Sequence, residues 1–556
     1  MNALRRSLFA LVGLLTFGPA AALAGDVTYL DQGWSKELRE KVYRIPQGSF
    51  LMPYTWFLAL EQPYSEALFR DDKYIESFRY LPEAKNPVNP DALPVGFTKG
   101  IARDGEPWIG LTCAACHTTQ LTYRGKTVRV DGGSTLGDLS GFQSALVSAL
   151  KATLAQPAKF ERFAGRVLGD KPTPDQVKAF AARVRKHVTT MADWEAHNRT
   201  SVPLGFGHMD AVNTLLNSAA AAAQGEASNF RVPQAGVGVP SIWLTPEYDW
   251  MLYHAGIQNQ LARGLGEVIV VFGDLKVTKA ADGKLKYNCS ADLKLLDELY
   301  TTNYSLKPPA WPEEVLGKLD AARAKRGAEV YAREGCAKCH AEKAPYPRTA
   351  PNAAGDTFIK INRVPLKEVG TDPGYAEYFQ KRTATPGILA PEFEGTPLAG
   401  KETISAAFMF TAMLRKTMEA MLEQTVDDPK LRARMLGTQP LPALPRTEQE
   451  MEAMLEALRC YRAAPLAGVW ATPPYLHNAS VPNLYELLLP PEKRSKSFYL
   501  GNPEFDPAKV GYQTAPFDGG YHYDTTRPGY SNRGHTYGTT ISEEDRLALV
   551  EYLKTL

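Results

Sequence analysis

Two five-residue runs constrain this chain more than anything else in it: Cys113-Ala114-Ala115-Cys116-His117 and Cys336-Ala337-Lys338-Cys339-His340. Each matches Cys-x-x-Cys-His, the signature of covalent c-type haem attachment. The spacing follows from the chemistry. Two thiols three positions apart add to the two vinyl groups of the macrocycle, and the adjacent imidazole supplies the proximal iron ligand. Two covalently attached c-type haems are therefore the expected cofactors, each wrapped by small helices whose apolar shell excludes water and sets the potential. A redox-active dithiol would want a βαβ setting and has no need of the histidine; a zinc knuckle would want the pairs closer together and no export signal.

The rest of the composition is that of a globular chain. Its 556 residues are 44% hydrophobic and 22% charged, a length that suits two domains better than one. The formal net charge of +2, with signs alternating along most of the chain, gives no basic face for nucleic acid. Residues 1–24 read as a signal peptide, with Arg5 and Arg6 as the basic region, an apolar stretch broken by Gly18-Pro19, and Ala22-Leu23-Ala24 at the cleavage site. No later segment reaches the roughly 20 apolar residues a spanning helix needs. The expectation is a periplasmic or secreted protein without stable membrane insertion, which agrees with haem attachment after export.

Alternation over residues 122–130, just after the first motif, predicts a short hairpin. Apolar spacing of three and four predicts helices over residues 141–153, 174–193 and 406–424. An Ala-rich helix over residues 211–224 ends at Gly225, and another at 319–334 leads into the second motif. A further helix is expected at residues 447–461. Residues 274–312 read as polar loop, so the domain boundary is placed near residue 300, giving a haem domain at 25–300 and another at 301–556. The expected fold is mainly α, with two cytochrome-c-like haem domains packed together and a few short β-strands.

The run Tyr461-Arg462-Ala463-Ala464-Pro465-Leu466, continuing through Trp470-Ala471-Thr472-Pro473-Pro474-Tyr475-Leu476-His477-Asn478, resembles the Pro-Leu … Thr-Ala-Pro-Tyr-x-His-(Asp/Asn)-Gly segment of the bacterial di-haem cytochrome c peroxidase superfamily. That superfamily includes the rubber oxygenases. Ser531-Asn532-Arg533-Gly534-His535 is similar to the stretch that, in the rubber-oxygenase branch, supplies the second axial ligand of the C-terminal haem. The resemblance thus implies His117 on one iron and His340 with His535 on the other. It also implies a relay tryptophan between the haems, for which Trp250 is first choice because Gln260 follows at the family's ten-residue offset; Trp243 is second. The acid expected ten residues beyond the glutamine is Val270, with Glu267 nearby. Some relatives carry a calcium ion between their domains, so calcium is a candidate second cofactor.

A haem with two strong protein ligands serves as an electron relay, whereas one with an open position can bind dioxygen or peroxide. The peroxidases carry a displaceable histidine shortly after the first motif, but here the next one is His187, 70 positions beyond His117. The N-terminal haem is therefore expected to be open, and the catalytic residues are taken as His117, Trp250, Gln260 and Glu267. Apolar Leu265, Val268 and Val270, in place of an acid, suit dioxygen and a hydrophobic co-substrate; their other reading is a buried strand. His477 is read as hydrogen-bonding structure near a haem. Cys289 and Cys460 are left either paired or as two free thiols.

These readings favour a di-haem oxygenase that inserts dioxygen at a carbon–carbon double bond of an unsaturated fatty acid or isoprenoid. The alternatives are a peroxidase fed by a small electron-donor cytochrome, and a non-enzymatic carrier with both haems saturated. The distal side of the first haem separates them: open and apolar for the oxygenase, open with a carboxylate for the peroxidase, a second His or Met for the carrier.

Overall fold

A computed structural model describes residues 27–556 apart from 170, 201 and 438, and apart from the side chain at 434. The expected signal peptide lies outside the described residues. Among those described, no helix is long and apolar enough to cross a membrane.

The expectation of a mainly α molecule built from two cytochrome-c-like domains does not hold. The chain is mixed α/β, 41% helical and 15% strand, with eight small sheets of two or three strands among the described residues. The reason is physical. Many of the strands are two to four residues long, too short to show an alternating pattern, and they exist because tertiary contacts bring distant segments side by side. Asn362–Pro365 pairs antiparallel with Cys460–Ala463, and Val27–Tyr29 lies parallel to Lys126–Asp131. The segment expected as loop between 274 and 312 holds a hairpin, Leu275–Lys279 with Leu285–Cys289, and the helix Leu293–Asn303. The helix Glu448–Ala457 ends before the expected 461, because the chain turns there into the Cys460–Ala463 strand.

Other local readings match the structure. The hairpin after the first motif is Thr118–Tyr123 with Lys126–Asp131. Helix Pro174–Asn198 starts with a capping box, Thr173 and Gln176 satisfying each other's backbone amides, and with Pro174 in the first turn where its missing N–H costs nothing. Helix Ala211–Ala220 continues as a 3-10 turn to Gln224, closed by Gly225 at φ 72°.

Three large apolar cores, with two small clusters beside them, hold these elements among the described residues. The largest gathers the Met-rich helix Ala406–Thr425 with helices Ala211–Ala220 and Gln260–Val270. A second joins Trp34, Val128, Trp311, Trp470 and the C-terminal helix Glu543–Leu553. A third lies under residues 51–191 and is rich in edge-on aromatic pairs around Phe97 and Phe142. The second motif is delivered by helix Ala321–Arg333, packed so closely on the C-terminal helix that a Cβ on Gly327 would lie 2.0 Å from the Ala548 carbonyl. Arg326 and Arg333 of that helix both bind Asp545. The turn holding Cys336 is thus fixed by the far end of the chain.

Candidate haem sites

The two motifs are built alike. His117 donates its Nδ1–H to the Pro240 carbonyl, and His340 donates its Nδ1–H to the Ala464 carbonyl, each at 2.8 Å. That bond fixes the tautomer and leaves Nε2 with a free lone pair, the arrangement metal-ligating histidines use. Burial pushes the His117 imidazole down to about 4 against the opposing Glu267 charge, and lowers His340 as well. Both rings are therefore neutral at pH 7, as a ligand must be. Cys113, Cys116, Cys336 and Cys339 are all free thiols, available for thioether bonds. The residues present fit a covalently held haem at each motif. Among the described residues no group of three or more His, Cys, Asp or Glu converges as a metal cage.

The likeness extends beyond the motifs. From Pro240 and from Ala464 the chain runs eleven residues to a narrow turn, closed by the bridge Met251 to Ile257 in one case and Tyr475 to Val481 in the other. Leu252 and Ala255 have positive φ in the first turn, and Leu476 and Ala479 in the second. Each turn leads to an asparagine that caps a helix, Asn259 before Gln260–Val270 and Asn483 before Leu484–Leu487. This is an internal structural repeat at an offset of 224 residues. The two copies are too different in sequence for the repeat to show there: Tyr253 of one stands where His477 stands in the other.

His535 lies against the second motif, its ring centre 6.4 Å from that of His340. Two imidazoles sharing one metal, each bonded at about 2 Å, hold their ring centres about 6 Å apart, so the gap is of the size an iron fills. Burial and the neighbouring His340 push His535 down to about 3, and its Nδ1 is buried with no protein partner. Among the described residues no second histidine ring is paired with His117. His187 lies between Trp56 and Trp108, His197 stacks on Phe230, and His208 bonds the carbonyls of Phe206 and Asn478. His254 is fully buried against Tyr375 and Phe379.

What does act on the first motif is an ion pair. After burial, the strongest influence on His117, Cys113 and Cys116 is the Glu267 carboxylate, with Arg263 next on His117 and Cys113. Arg263 and Glu267 are one helical turn apart, their charged groups 3.5 Å from each other; Tyr300 donates to Glu267 at 2.9 Å and accepts from Arg263 at 3.4 Å. The Arg263 side chain is 9% exposed and that of Glu267 32%. The apolar trio expected there is on a helix, not a strand, and Leu265 and Val268 are fully buried in the large core. Arg263 and Tyr300 escaped the sequence reading. The Arg-x-x-x-Glu spacing on a helix was the one available signal, and nothing in the sequence ties Tyr300 to it.

Of the other expected catalytic residues, Gln260 starts the helix that carries this pair, and Trp250 lies toward the second motif. Gln260 donates to the Pro246 carbonyl and lines a cavity of about 130 Å³ with Tyr300, Tyr304, Phe358 and Met435. Trp250 is half-buried with the Arg363 guanidinium 4.4 Å over its ring. The neighbouring Asn362 donates to the Cys339 carbonyl at 2.7 Å, so Trp250 is tied toward the second motif. Trp243 is buried and donates to Ala467. His477 stacks on Tyr461 at 4.0 Å with its Nε2 unpartnered, and its backbone carbonyl accepts from the Gly238 N–H at 2.9 Å. Cys289 and Cys460 are buried free thiols, not a disulfide.

Comparison with known proteins agrees with a haem protein. Residues 460–499, which include the Ala464 anchor and the Tyr475 turn, match the family described as RoxA-like, cytochrome c-like. That match covers a small C-terminal part of the chain and supports the rubber-oxygenase-like branch there. The chain as a whole belongs to the family of the uncharacterized protein y4iJ of Sinorhizobium fredii, with which it is 32% identical over 95% of its own length and 93% of the relative's. A second uncharacterized protein of that organism, y4iM, is 36% identical over 18% of this chain and 28% of its own length.

Proposed function

We propose that this protein is an exported two-haem c-type oxidoreductase that activates dioxygen on the His117 side and oxygenates an unsaturated apolar substrate. The observation that carries the division of labour is the 6.4 Å approach of His535 to His340, set against the absence of any such partner among the described residues facing His117. A c-type haem held by His117 would supply reversible one-electron chemistry and, with a single protein ligand, a place for a small oxygen species. The residues of this chain do the rest. Arg263 offers hydrogen bonds to an oxygen substrate, and Tyr300, whose O–H goes to Glu267, holds that carboxylate in place as the group that would move a proton. The RoxA-like segment supports a haem oxidoreductase of the rubber-oxygenase-like branch.

A second reading has its own observation. A carboxylate with a paired guanidinium is the equipment for splitting an O–O bond by acid–base catalysis, and Glu267 with Arg263 supplies it. On that reading one hydrogen peroxide, two electrons from a small cytochrome and two protons give two waters. The absorption spectrum of the protein, recorded in air, after removal of dioxygen and after one equivalent of peroxide, tests both. A spectrum that responds to dioxygen and ignores peroxide supports the oxygenase. A ferric protein that responds to peroxide and recovers with an electron donor supports the second reading. A spectrum indifferent to both overturns both, leaving an electron carrier.

A further inference from the structure

We infer that Arg494 is the positioning residue that holds His535 against the second haem motif; this rests on the reading of His535 as an iron ligand. Arg494 is 3% exposed, and its guanidinium has five N–H donors. All five go to backbone carbonyls. Nη1 donates to Asn532 at 2.6 Å and Gly534 at 2.9 Å, Nη2 to His535 itself at 3.0 Å and to Leu487 at 3.2 Å, and Nε to Leu489 at 3.0 Å. One planar fork thus joins the 487–489 turn to three residues of the loop that ends in His535.

The loop needs such a tie. His535 has φ 46°, a left-handed conformation that is strained for a non-glycine residue and persists only where the surroundings over-determine it. Its backbone N–H is held from the other side by Val369 at 2.8 Å. Gly534, at φ 72°, lies so close to the Gly370-Thr371 backbone that a Cβ would sit 2.2 Å from it. Asn532 adds a bond from its amide to Ser495, next in the chain to Arg494. The loop is therefore clamped between the 369–371 segment and the guanidinium. Among the described residues no carboxylate forms an ion pair with Arg494, although Glu492 and Glu486 lie near enough to act on its charge, so its contacts are directional bonds to carbonyls. Lysine, with three donors on a point charge and no plane, cannot reproduce that pattern.

The test is low-temperature electron paramagnetic resonance of the ferric two-haem protein, with His535→Ala as reference. Loss of a low-spin bis-histidine signal in His535→Ala establishes the ligand; its retention there overturns the ligand reading on which the inference rests. With the ligand established, Arg494→Gln is expected to lose most of that signal to a high-spin form, Arg494→Lys to lose part of it, and added imidazole to restore it in both. A full low-spin signal in folded Arg494→Gln overturns the positioning role while leaving His535 as ligand. If the Arg494 variants do not accumulate, Gly534→Ala must give the same loss with Arg494 in place; an unchanged spectrum there also overturns the inference.

Discussion

Glu267→Gln separates structural from chemical roles at the first motif. The substitution keeps the shape of the side chain and its bond to the Tyr300 hydroxyl but removes the charge facing Arg263. Its effect on stability follows from exposure. An exposed pair is worth about 0–1 kcal/mol, whereas breaking a buried pair costs about 3–5 kcal/mol. With Arg263 9% exposed and Glu267 32% exposed, the pair falls between, at about 1–2 kcal/mol. The effect on reaction is larger if the carboxylate moves a proton. A positioned acid or base contributes about 10²–10⁴ in rate, which is about 2.7–5.5 kcal/mol of barrier. Stopped-flow absorption of the ferric protein mixed with peroxide gives the rate, and urea denaturation gives the stability. A peroxide rate within threefold of wild type, in a variant whose urea midpoint is lowered as expected, would refute the acid–base role and leave the pair as structure.

Asp131 is 1% exposed and accepts from Tyr43 and Arg39, both buried, so Asp131→Asn strands a guanidinium. We expect a loss of about 3 kcal/mol in urea unfolding, the low end for a broken buried pair; a loss under about 1 kcal/mol would contradict the burial argument. The ring of His254 is fully buried and pushed down to about 3 by burial and the nearby Arg363, while an unfolded histidine titrates near 6.5. The unfolded state therefore takes up a proton first, and the stability His254 contributes is complete above pH 6.5 and falls as pH drops toward 3. Between pH 7 and pH 5 the loss is about 2 kcal/mol, and His254→Leu should remove that part; an unchanged pH slope in this variant counts against it. Finally, alkylation of the denatured protein should modify two cysteines, Cys289 and Cys460, with the other four carried as thioethers. Mass spectrometry showing more modified positions would mean that one haem is missing, and Cys113→Ala or Cys336→Ala should each lower the haem content by one per chain.

The sequence alone determined what depends on local chemistry. Cys-x-x-Cys-His states its reaction within five residues, because both thiols and the ligating imidazole must sit on one turn. The long helices at 174–198 and 406–425 declare themselves by repeating over several turns, and the hairpin after His117 by alternation. Tertiary structure decided the rest. The mixed α/β character was hidden because strands such as Asn362–Pro365 form only when a partner a hundred residues away supplies the other half of the hydrogen bonds. The anchors Pro240 and Ala464 were invisible because a backbone carbonyl has no side-chain signature. Tyr300 reaches Glu267 across 33 residues, and Arg494 reaches His535 across 41, through contacts between separate elements. Covalent attachment is written in neighbouring residues. The surroundings of each motif, and with them which side of the molecule can react, are set by which distant groups the packing brings within a few ångströms.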